Sequence, residues 1–193
     1  MTENDTAQAR ARWRHRLRER RRGLDADFAF KAGARICANL SACDAWHGAN
    51  SVALYLAADG EVPTLPIVHA ARATNKSLYL PAVLEKRMEF RLWREGETLV
   101  SNRFGIGEPP PGVPVTDSVE LMLLPLVGWT SRGFRLGMGG GFYDRYLEER
   151  SARPSHCLGL AFECQREDSL EILRSGWDVP MHGVVTEERV YRF

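Results

Sequence analysis

From residue 51 onward, short apolar runs alternate with amphipathic stretches, and this alternation predicts most of the fold. SVALYLA (51–57) reads as a buried strand, closed by a turn at Asp59-Gly60 and followed by a helical stretch, TLPIVHAARAT (64–74). SLYLPAV (77–83) predicts a second strand. MEFRLW (88–93) alternates with period two, as a half-exposed strand does. VELMLLPLV (119–127) is a continuous apolar run suited to a central parallel strand buried on both faces. FYDRYLEER (142–150) is amphipathic and predicts a helix, HCLGLAFE (156–163) a further strand, SLEILRS (169–175) a short helix, and GVVTEERVYRF (183–193) a closing strand. Between them, NRFGIGEPPPGVP (102–114) is loop by composition. Strands alternating with helices predict a Rossmann-like three-layer α/β/α sandwich around a mostly parallel sheet, as one domain over residues 1–193.

The first fifty residues carry two helices. Arginine occupies every even position from 10 to 20, yet the odd positions include Ala11, His15 and Glu19 and supply no apolar strand face. At helical spacing, Trp13, Leu17 and Leu24 share one side, while Arg10, Arg14, Arg18 and Arg21 line another. We therefore expect a basic amphipathic helix over 8–22. Asp25 is an N-cap candidate for a second, with Ala29, Ala32, Ile36 and Leu40 as its buried stripe.

Composition and charge narrow the function classes. Across 193 residues the net charge is +1, so no global field favours nucleic acid or an anionic membrane, although eight arginines crowd residues 1–22. No apolar run approaches a membrane span, and the N-terminus lacks the apolar stretch of a secretory signal. Cys37, Cys43, Cys157 and Cys164 have no C-x-x-C spacing and no neighbouring His cluster. Free thiols in a cytoplasmic protein, monomeric or weakly dimeric, are the expectation.

The candidate chemistry lies in RLGMGGGFYDRYL (135–147), where Gly137 and Gly139–Gly141 run into an aromatic helix. Glycine costs conformational entropy and adds nothing to a core. The loop has no Lys-Ser or Lys-Thr after its glycines, as a Walker loop requires. It also fails the dinucleotide fingerprint at the third glycine and follows its strand too late. The physical logic of both persists: bare main-chain N–H groups make a concave anion site, and a helix N-terminus adds positive charge. Arg132, Arg135 and Arg145 flank the turn and can pair with phosphate oxygens. Asp144 is badly placed to bind phosphate itself. A carboxylate beside a polyphosphate implies a bridging Mg²⁺, so the loop reads as a site for a nucleoside triphosphate with magnesium. The competing reading is a tight turn with Asp144 as a capping residue.

These residues resemble the signature loop of the 5-formyltetrahydrofolate cyclo-ligase family, also called 5,10-methenyltetrahydrofolate synthetase. YLAADGEVPT, SLYLPAV with MEFRLW, NRFGIGEP, LMLLPLVGWTSRG, LGLAFECQ and WDVPMHGVVTE occur in that family's order, so the resemblance spans nearly the whole chain. It implies ATP- and Mg²⁺-dependent conversion of 5-formyltetrahydrofolate to 5,10-methenyltetrahydrofolate, with ADP and phosphate released, through an N5-iminium phosphate.

Carried over residue by residue, the resemblance gives Arg135, Leu136, Gly137, Met138, Gly139, Gly140, Gly141, Phe142 and Tyr143 to the nucleotide, with Arg135, Tyr143 and Asp144 closest to the chemistry. Asp144 and Asp178 become magnesium ligands; Asp178 by its own surroundings reads as a surface residue. Arg10 and Arg14 match the family's basic pair on the ATP phosphates, a register that Arg12 or Arg18 could also satisfy. Leu56 and Glu61 match folate contacts, and Phe104 to Pro109 a loop near the substrate. His182 and Pro63 stand where relatives commonly have acidic residues. Other function classes are a diverged member that binds nucleotide or folate as a regulatory protein, and an RNA-associated protein using the arginine helix.

Overall fold

A computed structural model describes residues 2–116, 118–148, 153–176 and 178–193. Eight strands form one twisted sheet in the order β12-β11-β10-β7-β1-β2-β3-β6. Its centre is parallel: β10 (His156–Leu160), β7 (Leu121–Pro125), β1 (Ser51–Ala53) and β2 (Ser77–Leu84) pair in succession, with β11 (Gly183–Val185) parallel to β10. The edges are antiparallel, formed by β3 (Arg87–Leu92), β6 (Val115–Thr116) and β12 (Val190–Arg192). The mostly parallel expectation thus holds for the core and gives way at the rims, where hairpins replace crossovers.

Alternation along the central strands fills two cores. Val52, Leu54, Leu121, Leu123, Leu158 and Leu160 point to one, packed by α2 (Ala26–Ser41), α3 (Asp44–His47) and α4 (Leu65–Ala73). Ala53, Met122, Leu124 and Cys157 point to the other, covered by Tyr146 and Leu147 of α5 (Phe142–Glu148). Burial on both faces explains why these strands read as continuous apolar runs. Two strands end earlier than their runs, β1 at Ala53 and β10 at Leu160; after β1 the chain turns into a loop that lines a cavity. Leu54 still donates its N–H to Tyr79 O at 3.0 Å. The predicted loop 102–114 contains one rung of a small hairpin, β4 (Val100–Ser101) with β5 (Gly107–Glu108). A second hairpin joins β8 (Gly128–Trp129) to β9 (Arg135–Leu136). Segment 169–175 is a tight 3-10 turn, Asp168–Leu173, rather than an α-helix. The end of the predicted helix at 149–150 falls outside the described residues.

The arginine helix α1 runs over Glu3–Arg22, starting before the expected residue 8. Thr2 Oγ1 accepts from Asp5 N at 3.2 Å and Asp5 accepts from Thr2 N at 2.9 Å, a reciprocal cap at the amino end. Leu17 is wholly buried with Val127, Phe134, Leu136 and Leu170, and Trp13 packs beside them. Arg21, on the basic side of this helix, is buried. Its side chain is 1% exposed, because the turn after β1 folds over it. Three arginines meet at Asp59 of that turn. Arg22 Nε donates to Oδ1 at 2.6 Å, while Arg18 Nε and an Arg21 terminal nitrogen each donate to Oδ2 at 2.8 Å. Asp59 itself has φ of 53°, in the left-handed region. Among the described residues no helix is long and apolar enough to cross a membrane.

The three guanidiniums, Arg18 foremost, hold the Asp59 carboxyl down at about 2. Its folded value lies below the unfolded one of about 3.9, so the anion stabilises the fold above about pH 4 and that contribution fades as pH falls toward 2. Asp59→Asn should therefore lower stability at pH 7 by about 2 kcal/mol, and the gap from the parent should close below about pH 3. Urea unfolding across that range measures it.

Candidate functional site

The carboxyl ends of β1, β2 and β7 open onto a cavity of about 840 Å³. In an open α/β sheet this is where ligands sit, beside the point at which the chain reverses its direction of travel across the strands. Here that point lies between β1 and β7, adjacent strands whose outgoing connections lead to opposite sides. Helix α1 closes one wall of the cavity, the glycine loop a second, and the turn 55–61 a third. Arg10, Arg14, Leu56, Glu61, the whole run Arg135–Asp144 and Asp178 all line it. Residues separated by more than a hundred positions are therefore brought to one space.

The basic wall follows from helical spacing. Arg10, Arg14 and Arg18 lie on successive turns of α1, and all three face the cavity. Arg10 donates to Leu173 O at 2.6 Å and pairs with Asp178, a contact of 2.5 Å. Arg14 Nε donates to Gly137 O at 2.8 Å, which ties the helix to the glycine loop. Burial, and then the neighbouring Arg10 charge, push the Arg14 guanidinium below its usual value. Arg18 is the member whose role the spacing alone left open. It contacts the cavity beside the 55–61 turn.

In the glycine loop, Gly139 has φ of 98° and Gly141 of 65°, conformations that side chains strain to adopt. A Cβ on Gly139 would also stand 3.2 Å from the Arg14 guanidinium carbon. Gly137 is different. Its φ is ordinary, and among the described residues a Cβ there would meet nothing within 4 Å. Neither backbone geometry nor packing demands glycine at 137; the missing side chain leaves open cavity. Helix α5 has seven residues, so positive charge at this wall comes from arginines more than from a macrodipole.

Of the three arginines flanking the turn, Arg135 and Arg145 line the cavity while each is held by partners within the chain. Arg135 is 4% exposed in its side chain, because β9 pairs with β8 and turns it inward. There it donates to Val179 O at 2.6 Å and is ion-paired with Asp144. Arg145 donates to Lys86 O and Gly140 O, stapling the β2–β3 turn to the glycine loop. Arg132 is exposed and does not line the cavity. Leu136 is 1% exposed and belongs to the core around Leu17, while Met138 is half exposed at the rim.

Asp178 corrects the reading of it as a surface residue. Its side chain is 8% exposed, and it accepts from Ser175 N at 2.7 Å and from Arg10. Asp178 and Asp144 offer hard carboxylate oxygens, and no group of three or more potential protein ligands occurs among the described residues. That donor set suits an ion that keeps waters and takes phosphate oxygens, as Mg²⁺ does, better than one needing a closed protein cage.

The third wall is largely apolar. Leu56, Pro81, Val83, Met88, Ile106 and Phe104 line the cavity here, and the turn adds two carboxylates, Asp59, which is taken up by three arginines, and Glu61. Glu61 accepts from Ala58 N at 3.1 Å, and burial raises its carboxyl above the usual range. Tyr55 and Tyr143 lie near it; burial and the Glu61 charge push both phenols up, so they remain neutral donors. Tyr55 carried a signal that could have been used, a polar tip in an otherwise apolar run. Phe104 is 57% exposed at the mouth, ring to ring with Phe142 at 6.3 Å. His182 and Pro63 lie outside the lining: His182 Nδ1 accepts from Cys157 N, and Pro63 packs against Gly33.

Residues 6–187 match the sequence profile of the 5-formyltetrahydrofolate cyclo-ligase family. The chain is 31% identical over 184 residues to 5-formyltetrahydrofolate cyclo-ligase of Escherichia coli K12, covering 92% of this chain and 100% of that one. The Haemophilus influenzae protein of the same name is 33% identical over 144 residues, covering 71% and 75%. The solved structure of 5,10-methenyltetrahydrofolate synthetase from Aquifex aeolicus superimposes with a TM-score of 0.83 at 27% identity, over 95% of this chain and 92% of that one. A fold built around a cavity at the strand ends and a profile match over nearly the whole sequence agree: this chain belongs to the 5-formyltetrahydrofolate cyclo-ligase family.

Proposed function

We propose that the protein converts 5-formyltetrahydrofolate to 5,10-methenyltetrahydrofolate, consuming ATP in the presence of Mg²⁺ and releasing ADP and phosphate. The observation that carries this reading is the division of one cavity into two chemistries. Arginines and bare glycines line one part of it, and a largely apolar stretch with the Glu61 carboxylate lines another. A polyphosphate suits the first. A flat heterocycle with adjacent N–H donors suits the second, since a carboxylate accepts two parallel hydrogen bonds.

The formyl oxygen of the substrate is a poor leaving group. In the proposed sequence it attacks the γ-phosphorus of ATP, ADP departs, and an N5-iminium phosphate forms. N10 then bonds to the former formyl carbon, its proton is lost, and the carbon–oxygen bond breaks to release phosphate. No covalent bond to the protein is needed, so catalysis consists of positioning and charge stabilisation. Arg10 and Arg14 hold phosphate oxygens, and the glycine loop lets the triphosphate approach the main chain. Asp144 and Asp178 would hold Mg²⁺, which when bound neutralises phosphate charge. Arg135 aims Asp144, and the Tyr143 hydroxyl donates as a neutral phenol from between the two compartments. Glu61 binds the pterin edge, and Leu56 packs on the ring.

Purified protein with 5-formyltetrahydrofolate, ATP and Mg²⁺ should develop the strong near-ultraviolet absorbance of the methenyl product, and none without ATP. Tight 5-formyltetrahydrofolate binding with no turnover would instead favour a regulatory binding protein.

Two variants separate the parts. Asp144→Asn should cut turnover at limiting Mg²⁺ at least tenfold, with partial recovery at high Mg²⁺. It should also cost about 1–3 kcal/mol of stability, because buried Arg135 loses its counter-charge. The change therefore does more than remove a ligand's charge, and a melting curve accompanies the kinetics. Gly139→Ala, at φ of 98° and against Arg14, should raise KM for ATP about tenfold while leaving KM for the folate within twofold. Paired saturation curves for the two substrates distinguish these effects.

A further inference from the structure

Arg21 takes no part in the cavity surface, yet it is the most deeply buried charge beside it. One of its terminal nitrogens donates to Leu126 O at 3.2 Å, and the other to Asp59 O and Asp59 Oδ2, both at 2.8 Å. The nitrogen on Leu126 O also lies 3.9 Å from Glu61 Oε1. Asp59 is shared with Arg18 and Arg22, so one carboxylate serves three cations. A permanent cation with 1% of its side chain exposed needs more anion than a third share of Asp59, and Glu61 is the second carboxylate within reach. The reverse is equally true. Glu61 sits in an apolar compartment that opposes its charge, and the phenols of Tyr55 and Tyr143 supply no cation.

We propose that Arg21 is a positioning residue acting through Glu61: from behind the cavity wall it supplies the counter-charge that keeps this desolvated carboxylate an anion. It also fastens the Ala58–Glu61 turn, holding Asp59 by main chain and side chain together. This deepens the reading of Glu61 as the pterin contact and rests on it, because a protonated Glu61 accepts one fewer hydrogen bond from the ligand's paired donors. The groups facing Glu61 are Arg21 from α1, Asp59 from its own turn, Tyr55 from the end of β1 and Tyr143 from α5. Of these, Arg21 alone lowers the carboxyl through its charge, and Asp59 raises it. Opposite effects are therefore expected from removing each.

The experiment is a ¹³C-NMR titration of the Glu61 carboxyl in unliganded protein, its resonance assigned by its loss in Glu61→Gln. Arg21→Met should move the midpoint up by about one to three pH units, the effect of losing an opposite charge at this distance. Arg21→Lys should restore much of the parent value, and Asp59→Asn should move the midpoint down. Should Arg21→Met fail to fold, Arg21→Gln, which removes the charge and keeps an amide donor, takes its place and should likewise move the midpoint up. A folded variant without the Arg21 charge whose midpoint is unchanged or lowered would overturn the inference. A parallel pH series of 5-formyltetrahydrofolate affinity tests the reading beneath it. If Glu61→Gln leaves that affinity and its pH dependence untouched, Glu61 is not the pterin contact, whatever the titration shows. If Glu61→Gln flattens the profile while Arg21→Met leaves it in place, the assignment to Arg21 alone is lost.

Discussion

Helix α1 is bound across the carboxyl ends of the strands by a charge that water cannot reach. The Arg21 guanidinium is buried, and five contacts, to Asp59, Leu126 O and Glu61, account for its placement. Burying a guanidinium is expensive, and an ion pair in such a place is weak evidence of net stability. Its effect is on specificity. With Leu17 packed into the Phe134 and Leu136 cluster, it fixes the rotation of the helix about its own axis. That rotation sends Arg10, Arg14 and Arg18 to the cavity. If α1 turned by a single residue, those three arginines would leave the cavity wall.

The glycine loop depends on the same docking. Arg14 holds Gly137 O, and Gly139 must lack a side chain because the Arg14 guanidinium lies against it. Four glycines thus answer to different demands: Gly139 and Gly141 to backbone conformation, Gly140 to the Phe142 ring 2.9 Å from its would-be Cβ, and Gly137 to no neighbour among the described residues. The last leaves the main chain open to the cavity that the loop lines. Arg135 and Arg145, which the flanking pattern offered as phosphate ligands, are occupied in holding Asp144 and the β2–β3 turn.

The electrostatic layout is economical. Three carboxylates that line the cavity each have an arginine: Asp178 has Arg10, Asp144 has Arg135, and Glu61 has Arg21. Two of these arginines, Arg10 and Arg21, come from the one helix that also brings Arg14 and Arg18 to the cavity. A change in the seating of α1 would therefore be felt on both the arginine-lined and the apolar side.

Much was legible in the chain itself. The continuous apolar runs named the central strands because strands covered on both faces leave no polar positions. Asp25 and the Ala32, Ile36 and Leu40 stripe named α2, and the glycine cluster named the loop. These are local constraints, carried by periodicity, capping chemistry and backbone freedom. What only the tertiary structure decided is partnership. Helical spacing put Arg21 on the side of Arg10, Arg14 and Arg18, but nothing in the sequence showed that it is buried while the adjacent Arg20 is exposed and pairs with Glu167. Nor does WDVPM betray that Asp178 is enclosed by Arg10, 168 residues away. Burial of a charge is set by what folds over it, and the turn at Asp59 and the segment at Leu173 come from distant parts of the sequence. Periodicity states which way a side chain points along its own element; only the packed chain states what it meets there.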